Sequence, residues 1–259
     1  MAHQLKHFLR APLALLFVCL LALTGGSARA GAGPIKSIVL VHGAFADGSS
    51  WDRIVPLLEA KGYTVVAVQN PLTTLADDVA ATRRAIESVP GPVLLVGHSW
   101  GGAVITEAGN HEKVAGLVYV AAFGPADGES LTDLGKGHPE APWVSSLKVD
   151  SGGFARLPPE TVRNYFAQDL SAKEARVLAA KQSPTALALF GEKITTAAWK
   201  HKPSWYVRAE QDRIIDPNAE AAMAKRMGAT TTTVKGSHVV MLSKPRKVAA
   251  IILDAAAKL

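Results

Sequence analysis

The sequence predicts one α/β domain: a mainly parallel β-sheet with helices on both faces and a small helical cap inserted over one edge. Three observations lead there. Short apolar runs rich in β-branched residues recur along the chain, as in strands buried on both faces. Stretches with helical apolar spacing separate them. The chain has 259 residues, of which 48% are hydrophobic and 19% charged. That is the length and core content of one ordinary α/β domain, and it excludes general disorder.

Taken in order, Ser37–Val41 is a continuous apolar strand. Residues 51–60 follow with helical spacing at Ile54, Leu57 and Leu58. Thr64–Val68 is the second strand, and 75–89 is an amphipathic helix through Leu75, Val79, Ile86 and Val89. Residues 92–96 make a third strand, 102–108 begin a helix, and 117–120 lie in a fourth strand. The pattern then changes. Residues 125–199 hold no buried strand run, only turn-rich sequence with helical stretches near 160–169 and 173–182. Ser171 and Glu174 have capping-box spacing there. This segment is the expected cap. Strand returns at 205–207, helix at 218–227, strand at 231–234 and a terminal helix at 248–257. No flexible linker divides residues 31–259.

The first 30 residues are expected to be a signal peptide. Lys6 and Arg10 precede a short apolar run, then Gly25-Gly26-Ser27 breaks it and Ala28-Arg29-Ala30 supplies a small-x-small cleavage pattern. The run is shorter than the roughly 20 residues that span a bilayer. Cleavage after Ala30 predicts a secreted protein, periplasmic or extracellular, with no stable membrane insertion. It also lowers the formal net charge from +6 to +3, because Lys6, Arg10 and Arg29 leave. The remaining basic clusters, Lys200-His201-Lys202 and Lys244 to Lys247, lack interleaved aromatics and predict no nucleic-acid partner. The only Cys, Cys19, lies in the leader, which excludes a disulfide scaffold or a Cys-based zinc site.

The chemistry is carried by Gly97-His98-Ser99-Trp100-Gly101. The G-x-S-x-G pattern is weak alone, but here it follows a strand and opens a helix. A tight turn between the two would lift the Ser99 hydroxyl above the sheet. A nucleophilic Ser needs a general base and an orienting acid, in the chain order Ser, acid, His. His238, just after the last strand, is the base. Asp212 and Asp216 both follow the 205–207 strand. Asp216 precedes Pro217 and reads as a helix N-cap, so Asp212 is the preferred acid, with Glu210 a third candidate. The first strand leads into His42-Gly43-Ala44-Phe45. The backbone N–H groups of Ala44 and Trp100 are expected to form the oxyanion hole, with His42 holding the loop.

These motifs resemble the α/β-hydrolase superfamily over essentially the whole mature chain. Val39 to Ala44 and onward to Trp51 is similar to the branch of methyl-salicylate-type esterases and hydroxynitrile lyases. Glu210-Gln211-Asp212 and Ser237-His238 fall where that branch carries its triad. The resemblance implies a cofactor-free enzyme with a small helical cap over an apolar pocket. S-selective plant lyases carry Thr at the position of Gly43 and Lys at that of Val239. With neither present, no positive charge waits for departing cyanide, and ester hydrolysis is the simpler expectation.

The expected substrate is a small apolar or aryl ester. Phe45 flanks the reacting centre, and Trp143 and Phe166 are the chosen cap aromatics, from a set that includes Phe154, Tyr165, Phe190 and Trp199. Competing readings are a lyase-like or perhydrolase-like activity on the same triad, or a non-catalytic binding protein. No H-E-x-x-H, dinucleotide or P-loop pattern supports a metal or nucleotide enzyme. The sequence assigns no oligomeric state.

Overall fold

The computed structural model describes residues 34–137 and 140–259; the expected signal peptide lies outside the described residues. In chain order the strands are β1 (Ser37–Val41), β2 (Thr64–Val68), β3 (Val93–Ser99), β4 (Val114–Ala122), β5 (Lys148–Val149), β6 (Phe154–Arg156), β7 (Thr185–Ala186), β8 (Ser204–Ala209) and β9 (Thr230–Val234). The helices are α1 (Val55–Glu59), α2 (Leu75–Ser88), α3 (Trp100–Ala108), α4 (Leu131–Leu134), α5 (Pro159–Thr161), α6 (Ala172–Lys181), α7 (Pro217–Arg226), α8 (Val240–Ser243) and α9 (Pro245–Ala257).

Six strands form the main sheet in the order β2-β1-β3-β4-β8-β9. Every neighbouring pair is parallel. β1 and β3 are buried along their whole length, which is why continuous Val/Leu/Ile runs form them. β9 is an edge strand, and its exposed threonines suit an edge that carries no core face. Two helix groups flank the sheet: α2 with α3, and α1 and α8 with α9.

The strand order reverses between β1 and β3. The chain steps from β1 outward to β2, then returns past β1 to β3 and continues the other way. At such a switch point the loops leaving two adjacent strands diverge, opening a crevice beyond their C-terminal ends. The loop beginning at His42 and the turn at Ser99 leave the sheet there, since Val41 pairs with Gly97.

The segment expected as a helical cap differs from expectation in two ways. It contains a three-stranded antiparallel sheet, β5-β6-β7, besides its helices. Strands of two or three residues are too short to show a period, so the pattern gave no sign of them. It also covers the strand C-termini and not merely a sheet edge. Phe166 packs on His238, and Thr185 bonds the Phe45 amide. The second stretch is α6, begun by the Ser171–Glu174 capping box. The first is α5 continued by a π-helical turn, Val162–Phe166. The helix expected over 51–60 is shorter. Asp47 caps a 3-10 turn at Gly48–Trp51, and α1 starts later with Pro in its first turn.

Candidate active site

The turn from β3 into α3 is tight. Ser99 has φ 53° and ψ −121°, a conformation an L-residue adopts only under strain. The turn closes because its neighbours lack side chains. A Cβ on Gly97 would lie 2.5 Å from the Gly101 carbonyl oxygen, and one on Gly101 would lie 2.4 Å from that of Val41. Ser99 makes no side-chain capping bond to α3, so its hydroxyl is not consumed as an ordinary helix cap. It is 5% exposed.

Trp100 is the first residue of α3, where an amide has no intrahelical acceptor. Its indole Nε1–H donates to Asp78 Oδ2 at 2.7 Å, and the Leu72 amide donates to Asp78 Oδ1 at 2.8 Å. Burial pushes the Asp78 carboxyl up to about 6 against the pull of those two hydrogen bonds.

Opposite, Gly43 leaves room for the elbow: a Cβ there would sit 2.6 Å from Ser99 Cβ. His42 holds this loop, as expected. Its Nδ1–H donates to the Gly43 carbonyl at 2.8 Å, and its Nε2 accepts from the Asn70 amide at 2.9 Å. That pattern fixes a neutral ring, and burial lowers its pKa accordingly. Ala44 is buried beside it. The next residue, Phe45, has φ 58°, and its amide donates to Thr185 Oγ1 of β7 at 2.9 Å.

The loops after β8 and β9 meet at the same end. His238 Nδ1–H donates to Asp212 Oδ2 at 2.6 Å, with both side chains buried. Asp212 Oδ1 accepts from the amides of Ile214 at 2.7 Å and Ile215 at 3.0 Å. Asp216 instead caps α7 through the Asn218 amide, and Glu210 is exposed. His238 Nε2 is buried and has no partner, so no hydrogen bond joins it to Ser99 Oγ. Such contacts are commonly long without substrate and tighten when it binds. The ring of His98 lies 4.6 Å from that of His238, and its Nε2–H donates to the His238 carbonyl at 3.0 Å.

Aromatic side chains enclose these groups. Phe166 meets the His238 ring edge-on at 5.1 Å. Phe45 contacts Trp143 and Phe190, each at 6.3 Å, and Phe190 reaches Trp100 at 6.0 Å. Trp143 Nε1–H also bonds the Ile214 carbonyl, tying the cap to the loop that carries Asp212. Phe45 and Phe166 also line a shallow indentation of only about 10 Å³ with Leu178 and Gln182, which Trp143, Ser99 and His238 do not line. Trp199 bonds Pro125 and faces Lys200 and Arg226, a packing role.

Two participants were not singled out from sequence: Asp78 and Thr185. For the acid a signal existed. Asp78 shares the buried face of α2 with Leu75, Val79 and Thr82. An acid on an apolar phase needs a partner. Thr185 carried no such sign.

Known proteins resemble this chain in sequence and fold. A pyrethroid hydrolase of Sphingobium wenxiniae is 29% identical over 85% of this chain and 87% of its own length. Salicylic acid-binding protein 2 of Nicotiana tabacum is 26% identical over 86% of this chain and 98% of its own. The crystal structure of a pyrethroid hydrolase from Sphingobium faniae superposes with a TM-score of 0.76 at 25% identity, covering 86% of this chain and 97% of that one. The strand order, the elbow at Ser99 and the match of residues 38–251 to the family agree: the chain belongs to the alpha/beta hydrolase family.

Proposed function

We propose that this hydrolase is a cofactor-independent serine carboxylesterase for small apolar or aryl esters. One observation carries the reading. His238 Nδ1–H donates a hydrogen bond to Asp212, and its Nε2 is buried and unpaired, at the sheet end where Ser99 is held in a strained turn. A neutral imidazole so oriented accepts a proton only at Nε2. In the first step His238 takes the Ser99 proton as Oγ attacks the ester carbonyl. The amides of Ala44 and Trp100 receive the oxyanion. His238, now cationic and steadied by Asp212, protonates the leaving alcohol. Water then repeats the sequence on the acyl-enzyme.

The enclosing Phe45, Trp143, Phe166 and Phe190 favour an apolar acyl or aryl group. The names of the relatives, a pyrethroid hydrolase and plant methylesterases, point to esters as well. Cyanohydrin cleavage is the weaker reading, because Val239 is a buried apolar residue where a cation would be needed. Export with loss of residues 1–30 belongs to the same proposal; protein recovered from its host is expected to begin at Gly31 by mass spectrometry.

The decisive experiment uses a p-nitrophenyl ester and a fluorophosphonate. Wild type hydrolyses the ester and is labelled at Ser99, whereas Ser99→Ala and His238→Ala do neither at a measurable rate. Hydrolysis that survives in well-folded Ser99→Ala would sink the proposal.

A further inference from the structure

Glu220 is 0% exposed, on the inward face of α7 behind Asp212. Its Oε2 accepts from the Ala209 amide at 2.8 Å, while its Oε1 is buried without a partner. The Ala209 carbonyl in turn accepts from the Asp212 amide at 3.2 Å. The Asp212 backbone and the Glu220 side chain are therefore joined through the last residue of β8, and the nearby Asp212 charge helps hold the Glu220 carboxyl above its usual range.

Two neighbouring carboxyls in a dry site do not both ionise. The negative charge settles where more donors point. Asp212 receives three, from His238 and the amides of Ile214 and Ile215. Glu220 receives one, from Ala209. We propose that Glu220 is a positioning residue that stays protonated, offering Asp212 a hydrogen bond from Oε1 so that the single negative charge of the pair stays on the acid facing His238. This rests on the esterase reading only for its kinetic arm.

The groups around Glu220 leave the proton few other sites. Burial, and then the Asp212 charge, push its carboxyl up to about 10; Arg208 opposes this weakly. The Arg208 guanidinium is engaged with the Pro217 carbonyl. Tyr206 also faces the pair, but its hydroxyl donates to the Ala122 carbonyl, and burial raises it well above the ordinary range. Tyr119 is stacked on Tyr206, and its hydroxyl pairs with Thr106.

A buried acid beside a second carboxylate otherwise works against folding. With one proton between the two acids, an ionised Glu220 would leave that proton on Asp212. The imidazolium formed during the reaction would then face a neutral acid. A neutral Glu220 avoids this and still satisfies Ala209. Glutamine reproduces the neutral state permanently, with an amide N–H as donor. Leucine fills similar volume with neither donor nor acceptor.

Purified mature enzyme, Glu220→Gln and Glu220→Leu are compared by infrared spectroscopy and by kcat and KM across pH. The wild-type minus Gln spectrum is expected to contain the carbonyl stretch of a protonated carboxyl at neutral pH. Gln keeps kcat within a few-fold of wild type. Leu lowers kcat by about tenfold or more with KM little changed, the scale of a hydrogen bond to a charged group. Wild-type activity falls only well above the ordinary carboxylate range, as Glu220 ionises, and Gln lacks that fall. Absence of the protonated carboxyl band, or a Gln variant as impaired as Leu, overturns the inference. The infrared arm reads Glu220 without any turnover. Failure of the Ser99 labelling experiment would remove the esterase reading and leave that result standing.

Discussion

His98 Nε2 lies 3.0 Å from the main-chain carbonyl of His238, so the strand that delivers Ser99 is pinned to the loop that delivers the imidazole. A carbonyl only accepts, so His98 carries its proton on Nε2. Burial holds its pKa well below the ordinary value, and the ring stays neutral. His98→Leu is expected to lower kcat about tenfold, from one lost buried hydrogen bond at the base, with a smaller change in KM. His98→Gln, which keeps a donor, should recover most of it. Steady-state kinetics with a p-nitrophenyl ester checks both; an unaffected Leu variant would leave the contact without a kinetic role.

The two acids after β8 separate cleanly. Asp212→Asn removes the carboxylate that accepts from His238 Nδ1, and on the proposed mechanism it is expected to cut turnover by roughly 10⁴, as in comparable Ser-His-Asp sites. Asp216→Asn keeps an N-cap residue and should change stability by only about a few tenths of a kcal/mol. Turnover numbers and thermal melts on both variants decide; a dead Asp216 variant would reverse the assignment.

Gly43 is predicted to tolerate no side chain. A Cβ there would meet Ser99 Cβ at 2.6 Å and His98 Nδ1 at 3.2 Å, so even Ala must displace the elbow. Displacements near 1 Å can cost about 100-fold in rate, and Gly43→Ala should lose activity on that scale while remaining folded. For the same reason Gly43→Thr, the residue of the plant lyases, should impair the elbow before any new hydroxyl becomes useful. Circular dichroism alongside ester kinetics separates the two effects.

Thr185 holds the Phe45 amide from the cap side. Thr185→Val keeps the shape and removes the acceptor, leaving a buried N–H unpaired at about 1–3 kcal/mol. The residue before that amide is Ala44, so kcat should fall with stability, and Thr185→Ser should restore both. Denaturant unfolding and kinetics on the pair of variants test this.

Asp78 gives stability a defined dependence on pH. Its carboxyl is raised from 3.8 to about 6 in the folded chain. Between those values the folded protein holds a proton that the unfolded chain has released, so stability falls as pH rises through this window. Asp78→Asn abolishes that slope. Urea unfolding from about pH 4 to about pH 7 should show the wild type losing stability relative to the variant. A parallel pair of curves would contradict it.

The main sheet was legible because its strands are buried on both faces and read as unbroken apolar runs. β3 and β4 nevertheless extend beyond their expected bounds, since Gly97, His98 and Ser99 carry no strand propensity and are held by pairing to β4. The order of elbow, acid and His pointed to Asp212 and His238, which the structure places in hydrogen-bond contact. The cap sheet was not legible, because strands of two or three residues depend wholly on partners supplied by folding. Nor was Phe190 separable from the other cap aromatics, since packing against Phe45 and Trp100 is a three-dimensional property.

The positions of β8 and β9 have a consequence for how the two sides of the site are set against each other. β8 joins the sheet by pairing with β4, and β9 by pairing with β8. Ser99 rides on the part of the sheet built from β1 to β4, whereas Asp212 and His238 follow β8 and β9. The register of β8 on β4 therefore sets how far the serine stands from the imidazole, although neither strand contributes a side chain to the pair.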